Sequence, residues 1–214
     1  IDKEEVVVAL ALFAGLRRGE LVALQWGDLE NLVQDRLDCV RIQVVASGYK
    51  IKGQPQKRGK PKSTCSQRAF IVPELLGAIL LVWKNRQRQN GVVITPKDFV
   101  VTGRTGGMVS LGAPTRWVTR VIDRCNAYLR DNQVDNYEDN EDNKVDYVVL
   151  HSLRHTFAAL LVRANMHVET IKSIMGHEDI RTTDIYMYSF KMQEDDLMAD
   201  VNKYNDKILG VHLV

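Results

Sequence analysis

Cysteine is scarce in this sequence, with three residues among 214: Cys39, Cys65 and Cys125. They are odd in number, far apart and never in a C-x-x-C pair, which favours a reducing interior over a disulfide framework or a zinc knuckle. A long apolar run is also missing, because the stretch from Val6 to Ala14 is far shorter than the roughly 20 residues that cross a bilayer. We therefore expect a cytoplasmic protein that has no membrane partner.

The chain also lacks a signal peptide and an initiating methionine, since it begins with Ile-Asp-Lys-Glu-Glu. We interpret it as a piece of a longer chain, or as a chain whose start is disordered. With 45% apolar and 26% charged residues, it has the composition of one sizeable or two small folded domains, each able to bury a core.

A large excess of charge is absent too, because 29 Lys and Arg oppose 27 Asp and Glu and leave a net charge of +2. The total gives no reason to expect a nucleic-acid partner, but the distribution is uneven. Residues 48–73 contain seven bases and no acid, whereas residues 131–146 contain seven acids and one base. We interpret the acidic block as a surface loop, either a solvated insertion or a regulatory element. Without that block the chain carries +8.

Hydrophobic periodicity predicts a mainly α-helical α+β fold with one small antiparallel sheet. Asp2 is the predicted cap of a first helix that is apolar on all sides through Phe13 and should be buried. Residues 38–73 instead alternate and are rich in β-branched side chains. This pattern predicts three antiparallel strands, within residues 38–45, 49–53 and 68–73. The other predicted helices lie at about residues 19–24, 73–89, 113–130, 150–161, 168–175 and 192–208.

The motif H-S-L-R-H at residues 151–155 is the strongest local signal of chemistry. On a helix, His151 and Arg154 lie one turn apart on one face, and together they can grip a tetrahedral oxyanion such as phosphate. His151 and His155 also have the i, i+4 spacing of two zinc ligands, although no carboxylate follows His151 and no third ligand is near. A third interpretation, beside oxyanion binding and zinc binding, is a plain amphipathic helix with solvated polar side chains.

Other motifs occur at fixed distances from this one. Upstream, Gly-Leu-Arg at residues 15–17 is followed by Glu20 and Leu21, and downstream Gly176-His177 precedes Tyr186, nine residues after that histidine. Together with a basic segment between strands, these motifs resemble the catalytic domain of tyrosine recombinases, the phage integrase family. The family pattern is G-L-R-x-x-E-L, a hairpin lysine, H-x-L-R-H, L-G-H and a tyrosine nine residues later.

The resemblance implies a role for each matching residue. Glu20 corresponds to an acid that buttresses the site, with His155 in a supporting position. The hairpin lysine is Lys62, because P-K-S-T-C-S-Q-R-A-F-I-V-P matches the family hairpin, and Lys57 and Lys60 are its alternatives. Tyr188 competes with Tyr186 but lies two residues late. The implied catalytic residues are Arg17, Lys62, His151, Arg154, His177 and Tyr186. The implied DNA contacts are Arg18, Lys57, Arg58, Lys60 and Arg68.

The implied fold is that of DNA breaking–rejoining enzymes, and the implied activity is site-specific recombination. Tyr186 would attack a DNA phosphate and form a 3′-phosphotyrosyl link, with Lys62 protonating the 5′ oxygen, and no metal, ATP or other cofactor would be needed. Two alternatives stay open: relaxation of DNA in the manner of a type IB topoisomerase, and a noncatalytic DNA-binding module.

The resemblance also implies an organisation and a set of partners. Residues 1–190 would form the catalytic domain, and residues 191–214 a helix and tail that pack in cis or dock on a neighbouring protomer. A separate N-terminal DNA-binding domain is absent from these residues. The expected partners are double-stranded DNA with specific recombination sites and three further copies in a homotetramer. Without DNA we expect a monomer, encoded by a prokaryote, a phage or another mobile element.

Overall fold

The structure is a computed structural model that describes residues 1–61, 66–103, 105–131 and 144–177. Lys62, Tyr186, most of the acidic block and the helix predicted for residues 192–208 lie outside these ranges. The described helices are α1 (Lys3–Ala14), α2 (Arg18–Ala23), α3 (Glu74–Gln89), α4 (Ala113–Asp131), α5 (Leu150–Arg163) and α6 (Val168–Met175). None of them combines the length and the apolar character needed to span a bilayer.

Helix α1 is the centre of the helical layer, and its caps follow from the sequence. The Asp2 carboxylate accepts the backbone N–H groups of Glu4 and Glu5 at 2.8 and 3.0 Å, and Glu5 accepts the N–H of Asp2 in return. This capping box leaves three fewer orphan donors at the helix start. The helix packs against α3, α4 and α5 through a face that includes Val6 and Leu10, both fully buried.

Gly15 ends α1 and aims the chain towards α2. Its φ of 57° is left-handed, a conformation that costs little only for glycine. A Cβ at this position would also lie 2.3 Å from the Phe157 ring of α5. The glycine is therefore required twice, for its backbone angle and for the close approach of α5. Arg17 follows as the N-cap residue of α2.

The strands form two separate units instead of one. A three-stranded antiparallel sheet has the order β1 (Leu29–Glu30), β2 (Arg41–Val44) and β5 (Arg68–Ile71). A hairpin pairs β3 (Ser47–Tyr49) with β4 (Lys57–Gly59), with Tyr49 opposite Lys57. The prediction of a three-stranded antiparallel sheet is thus confirmed, but the sheet contains a different set of strands from the one predicted.

The difference in membership has a physical cause. The two-residue strand β1 is too short to show any alternation, so the pattern misses it. Residues 49–53 were predicted to be the middle strand, but only Tyr49 lies in a strand, and the chain then turns through Gly53 with a φ of 79°. That turn makes the following basic residues a second hairpin strand, β4, which lacks any hydrophobic alternation.

The far end of the described chain has a small core of its own. Helices α5 and α6 pack together through Phe157, Ala158, Val162, Ile171 and Met175, all buried. Helix α6 also contacts β5, and α5 contacts α1. The carboxyl end of α6 therefore meets the turn between α1 and α2, which is the region in which the predicted site residues meet.

Candidate functional site

Arg17 is held on two sides in the turn between α1 and α2. The Glu20 carboxylate accepts the backbone N–H of Arg17 at 2.8 Å and its Nη1 at 3.0 Å. On the other side, Nη2 donates to the backbone oxygen of Gly176 at 2.7 Å. The side chain nevertheless stays 37% exposed. Its guanidinium is thus oriented by the protein while one edge faces solvent.

Helix α5 contributes His151 and Arg154 to the same place. Arg154 is only 2% exposed, and its two Nη atoms donate to the backbone oxygens of Gly15 and Met175. His151 lies one turn earlier, at the exposed start of the helix, with its ring edge-on to His155 at a centroid distance of 4.4 Å. Both side chains lie on α5, one turn apart, and both line one open cleft.

Helix α6 ends in three carbonyl groups that each accept from a different arginine. Arg68 Nε donates to Ile174 at 2.5 Å, Arg154 donates to Met175, and Arg17 donates to Gly176 at 2.7 Å. The last carbonyls of a helix lack partners within it and carry its negative dipole end, so cations stabilise them. Gly176 then turns the chain with a φ of 63° and leads directly to His177, which is 8% exposed.

Glu20 is the acid that joins two of these arginines. It is buried and accepts Nη1 and Nη2 of Arg68, both at 2.9 Å, in addition to its bonds with Arg17. Burial acts to raise the pKa of Glu20, but hydrogen bonds and charge from Arg68 and Arg17 outweigh it and lower the pKa below its usual value. Glu20 is therefore ionised at neutral pH and supports the site, in keeping with the predicted position.

The structure places Arg68, a predicted DNA contact, inside the protein. Its side chain is 4% exposed, and its guanidinium is engaged by Glu20 and Ile174. One signal could have revealed this, because Arg68 and Phe70 alternate along β5 and so share its inward face. A cation on an inward face needs a buried partner, and Glu20 is that partner.

Arg58 also has an internal role that the sequence reading missed. Its Nη2 forms an ion pair with Asp28 at 3.0 Å, and its Nε donates to the Ala23 carbonyl at 2.9 Å. These bonds anchor the β3–β4 hairpin to the end of α2, and Asp28 compensates the charge of Arg58. By contrast, Lys57 and Lys60 are exposed.

His177 is a neutral group in this environment. Burial is the main cause that lowers its pKa, and the nearby charges of Arg154, Arg17, Arg68 and His155 lower it further, to about 4. A neutral imidazole has one N–H donor and one acceptor nitrogen. His177 therefore contributes directed hydrogen bonding to the site at neutral pH, and the arginines contribute the positive charge.

The pKa of His151 is lowered as well. Burial is the main cause, and the charges of His155, Arg154 and Arg17 lower the pKa further. A neutral His151 has a free electron pair on one ring nitrogen and can accept a proton. Beside the arginines, the two histidines are therefore a potential donor and a potential base.

An open cleft lies in front of these groups. Its lining combines the cations and the imidazole with a few apolar and hydroxyl side chains: Leu16, Arg17, Arg18, Thr115, Val149, Leu150, His151 and Arg154. Arg18 is exposed on its rim, as expected for a cation that meets DNA backbone. Thr115, near the start of α4, carried no motif and was not foreseen. The cleft is suited to an anion with a tetrahedral centre.

Zinc binding was the open alternative for His151 and His155. Within the described residues, no three His, Cys, Asp or Glu side chains are grouped in a way that could hold a metal ion. The two rings meet edge-on, and the groups around them are arginines, which repel a cation.

Known structures share this fold. The integrase of the transposon Tn1549, solved with transposon right-end DNA, has a TM-score of 0.62 at 22% identity, over 92% of this chain and 59% of that one. The XerH site-specific recombinase bound to a palindromic difH substrate has a TM-score of 0.58 at 18% identity, over 92% and 45%. The fold is therefore the catalytic-domain fold of tyrosine recombinases.

Sequence comparison leads to the family. The model of the phage integrase family matches residues 119–193. A XerC-like tyrosine recombinase of Caldanaerobacter subterraneus is 26% identical over 206 residues, 90% of this chain and 47% of that protein. XerC of Xanthomonas campestris is 26% identical over 186 residues, 87% and 44%. The chain is thus similar to the phage integrase family, the tyrosine recombinases, and spans about half the length of the curated relatives it matches.

Proposed function

We propose that the chain is the catalytic part of a site-specific DNA recombinase, which cleaves and rejoins DNA through a 3′-phosphotyrosyl intermediate on Tyr186. The observation that carries the proposal is the convergence of Arg17, His151, Arg154 and His177 from three regions far apart in sequence. The first three line one open cleft, His177 directly follows Gly176, which accepts from Arg17, and each lies at its position in the family motif.

The arginines supply what phosphoryl transfer needs most. A phosphodiester carries one negative charge and gains more at its nonbridging oxygens as the nucleophile attacks, so oriented positive donors lower the barrier. Arg17 and Arg154 are oriented by backbone oxygens before any DNA arrives, which avoids reorganisation during the reaction. Charged hydrogen bonds of this kind contribute about 1.5–3 kcal/mol each.

The histidines and a lysine handle the protons in this proposal. A tyrosine hydroxyl has a pKa near 10 and needs a base or a cationic environment to attack. His151, with its lowered pKa, accepts the proton of Tyr186, and neutral His177 donates a hydrogen bond to a nonbridging oxygen. Lys62 protonates the 5′ oxygen that leaves, a role that rests on the hairpin motif alone.

The proposed partner is double-stranded DNA that carries specific recombination sites. Two structures of the same fold were solved with DNA, and exposed Arg18, Lys57 and Lys60 offer cations for its backbone. We further propose a homotetramer on two duplexes, an intracellular location and a catalytic domain of residues 1–190. Residues 191–214 would pack in cis or on a neighbouring copy. The proposed chemistry requires neither ATP nor a metal ion.

A covalent-capture experiment tests the nucleophile. The full chain is incubated with a library of nicked duplexes that have a randomised arm beside the nick, so that a cleaved strand diffuses away and the adduct persists. We expect adducts stable to denaturation with the wild-type chain and with Tyr188→Phe, and none with Tyr186→Phe. Failure of the wild-type chain to form an adduct, or persistence of the adduct in Tyr186→Phe, would contradict the proposal.

The captured sequences separate recombination from topoisomerase activity. A recombinase should enrich one sequence motif and should join two duplexes that carry it. Relaxation of a supercoiled plasmid that lacks the motif, without joining, would instead identify a topoisomerase. The EDTA control completes the test, because loss of adduct on chelation and its recovery with zinc or magnesium would contradict the metal-independent mechanism.

A further inference from the structure

Arg68 is a buried cation that the reaction described above does not use. It lies at the start of β5 with a side chain that is 4% exposed. Burying a guanidinium costs free energy unless its N–H groups are all paired. We therefore expect a buried arginine to have a structural or functional role. Arg68 is not among the residues that line the cleft.

The guanidinium of Arg68 joins two different parts of the site. Its two Nη atoms bind the two oxygens of Glu20 side by side, each at 2.9 Å, and its Nε donates to the Ile174 carbonyl at 2.5 Å. A further bond runs from Nη1 to the Ser66 carbonyl at 3.1 Å. The bidentate pairing fixes direction as well as distance, which a lysine could not do.

Both groups that orient Arg17 depend on these bonds. Glu20 holds the backbone N–H and Nη1 of Arg17, and Gly176, two residues beyond Ile174, accepts its Nη2. Arg68, Glu20, Arg17 and the end of α6 therefore form a closed ring of hydrogen bonds. Since His177 follows Gly176 directly, a shift of the α6 end moves this histidine as well.

We propose that Arg68 is a positioning residue, which sets the geometry of Arg17 and His177 towards the scissile phosphate without touching DNA. The rate measurement below rests on the proposed function, whereas the spectroscopic measurement does not. Arg68 acts by clamping Glu20 to the carboxyl end of α6, so that the α1–α2 turn and α6 keep one fixed relation. This role differs from the predicted contact with the DNA backbone.

Two substitutions and one matched control test the proposal in the full chain. Arg68→Lys keeps the positive charge opposite Glu20 but loses the two parallel N–H groups that bind both Glu20 oxygens. Arg68→Gln removes the charge. Arg120→Lys is the control, because Arg120 also pairs with a partly buried acid, Glu4 at 2.8 Å, but at the opposite end of α1. The single-turnover rate of adduct formation at saturating DNA and the DNA dissociation constant are measured on the captured sequence.

For Arg68→Lys we expect a rate lower by about 10- to 100-fold, because a misplacement of even about 1 Å costs up to that much. The DNA dissociation constant should stay unchanged, and Arg68→Gln should be slower than Arg68→Lys. An unchanged rate per folded molecule would overturn the proposal, and so would weaker DNA binding at an unchanged rate. The lysine variant decides the case if Arg68→Gln does not fold.

NMR provides a test that needs no cleavage. In the DNA-free chain, the Arg17 Nε–H and His177 amide signals should shift in Arg68→Lys and stay in place in Arg120→Lys. If the wild-type chain forms no adduct, the proposed function fails while this measurement still decides the role of Arg68. Unshifted Arg17 and His177 signals in a folded Arg68→Lys chain would overturn the positioning role.

Discussion

The Arg17 guanidinium donates to the backbone oxygen of Gly176 at 2.7 Å, across 159 residues of sequence. The bond joins the turn after α1 to the end of α6, and His177 is the next residue after its acceptor. The bond therefore fixes the position of Arg17 relative to the residue that precedes His177, before any substrate binds. Preorganisation of this kind lets charge act on a transition state without first being rearranged.

Arg17→Lys should lose this orientation and retain the fold. Lysine is a point charge on a flexible stem and cannot bind Glu20 and Gly176 together as the guanidinium does. We expect the rate of adduct formation to fall by about 10²- to 10³-fold, as for the loss of one oxyanion donor. Thermal unfolding should change little. Arg18→Lys, one residue away and exposed, is the control and should cleave at nearly the wild-type rate.

Glu20→Gln should destabilise the protein strongly. The substitution leaves buried Arg68 without its counter-charge, and breaking a buried pair in this way costs about 3–5 kcal/mol of unfolding free energy. Glu30→Gln is the matched control, because the Glu30 pair with Arg41 is exposed and 3.8 Å long, and about 1 kcal/mol or less is expected. Urea unfolding measures both, and equal losses would contradict the buried network.

The pH dependence of this pair has a definite sign. Since the pKa of Glu20 is lower in the folded chain than the usual 4.5, the unfolded chain binds a proton first as the pH falls. The stabilisation is therefore full at neutral pH and is lost as the pH drops through the folded-state pKa. Glu20→Gln should flatten the acid limb of a stability-against-pH curve, whereas an unaltered limb would contradict the assignment.

His177 should titrate with a pKa of about 4 in the DNA-free chain. Its unfolded pKa is near 6.5, so the unfolded chain binds more protons between these values, and stability should fall as the pH drops from about 6.5 to about 4. NMR of the imidazole carbon signals measures the pKa directly. A His177 midpoint near 6.5 would contradict the buried, arginine-flanked environment.

Gly15→Ala tests the geometry that aims Arg17. The new Cβ would meet the Phe157 ring at 2.3 Å and would sit on a left-handed backbone. We expect the free energy of unfolding to fall by about 2–5 kcal/mol from the steric clash and the backbone strain combined. Gly53→Ala is the control, because its φ of 79° is also left-handed but nothing lies within 4 Å. That variant should lose only about 1–2 kcal/mol.

Much of the fold could be predicted because its helices are long and periodic. Asp2 predicts the start of α1, and the apolar spacing in the sequence predicts α5 and α6. The strands were harder: β1 has two residues, and β4 is a basic segment, Lys57–Gly59, with no apolar alternation. Such strands exist because a turn brings them beside a partner, and that information is nonlocal.

The candidate site divides in a similar way. Residues in contiguous motifs, such as His151 and Arg154, could be found by spacing. In the structure Arg17 lines the same cleft and is bonded to Glu20 and to Gly176, the residue before His177. The role of Arg68 could not be found in this way, because it depends on Glu20 and Ile174, which are 48 and 106 residues away. The lowered pKa values of the histidines likewise arise from burial and from arginines on other elements.

Mapping the covalent link is the most direct test of the central claim. Adduct formed by the wild-type chain on the captured sequence is digested with nuclease and protease, and the modified peptide is sequenced by tandem mass spectrometry. We expect a nucleotide attached through its 3′ phosphate to Tyr186. A link to Tyr188, to another side chain or through a 5′ phosphate would contradict it.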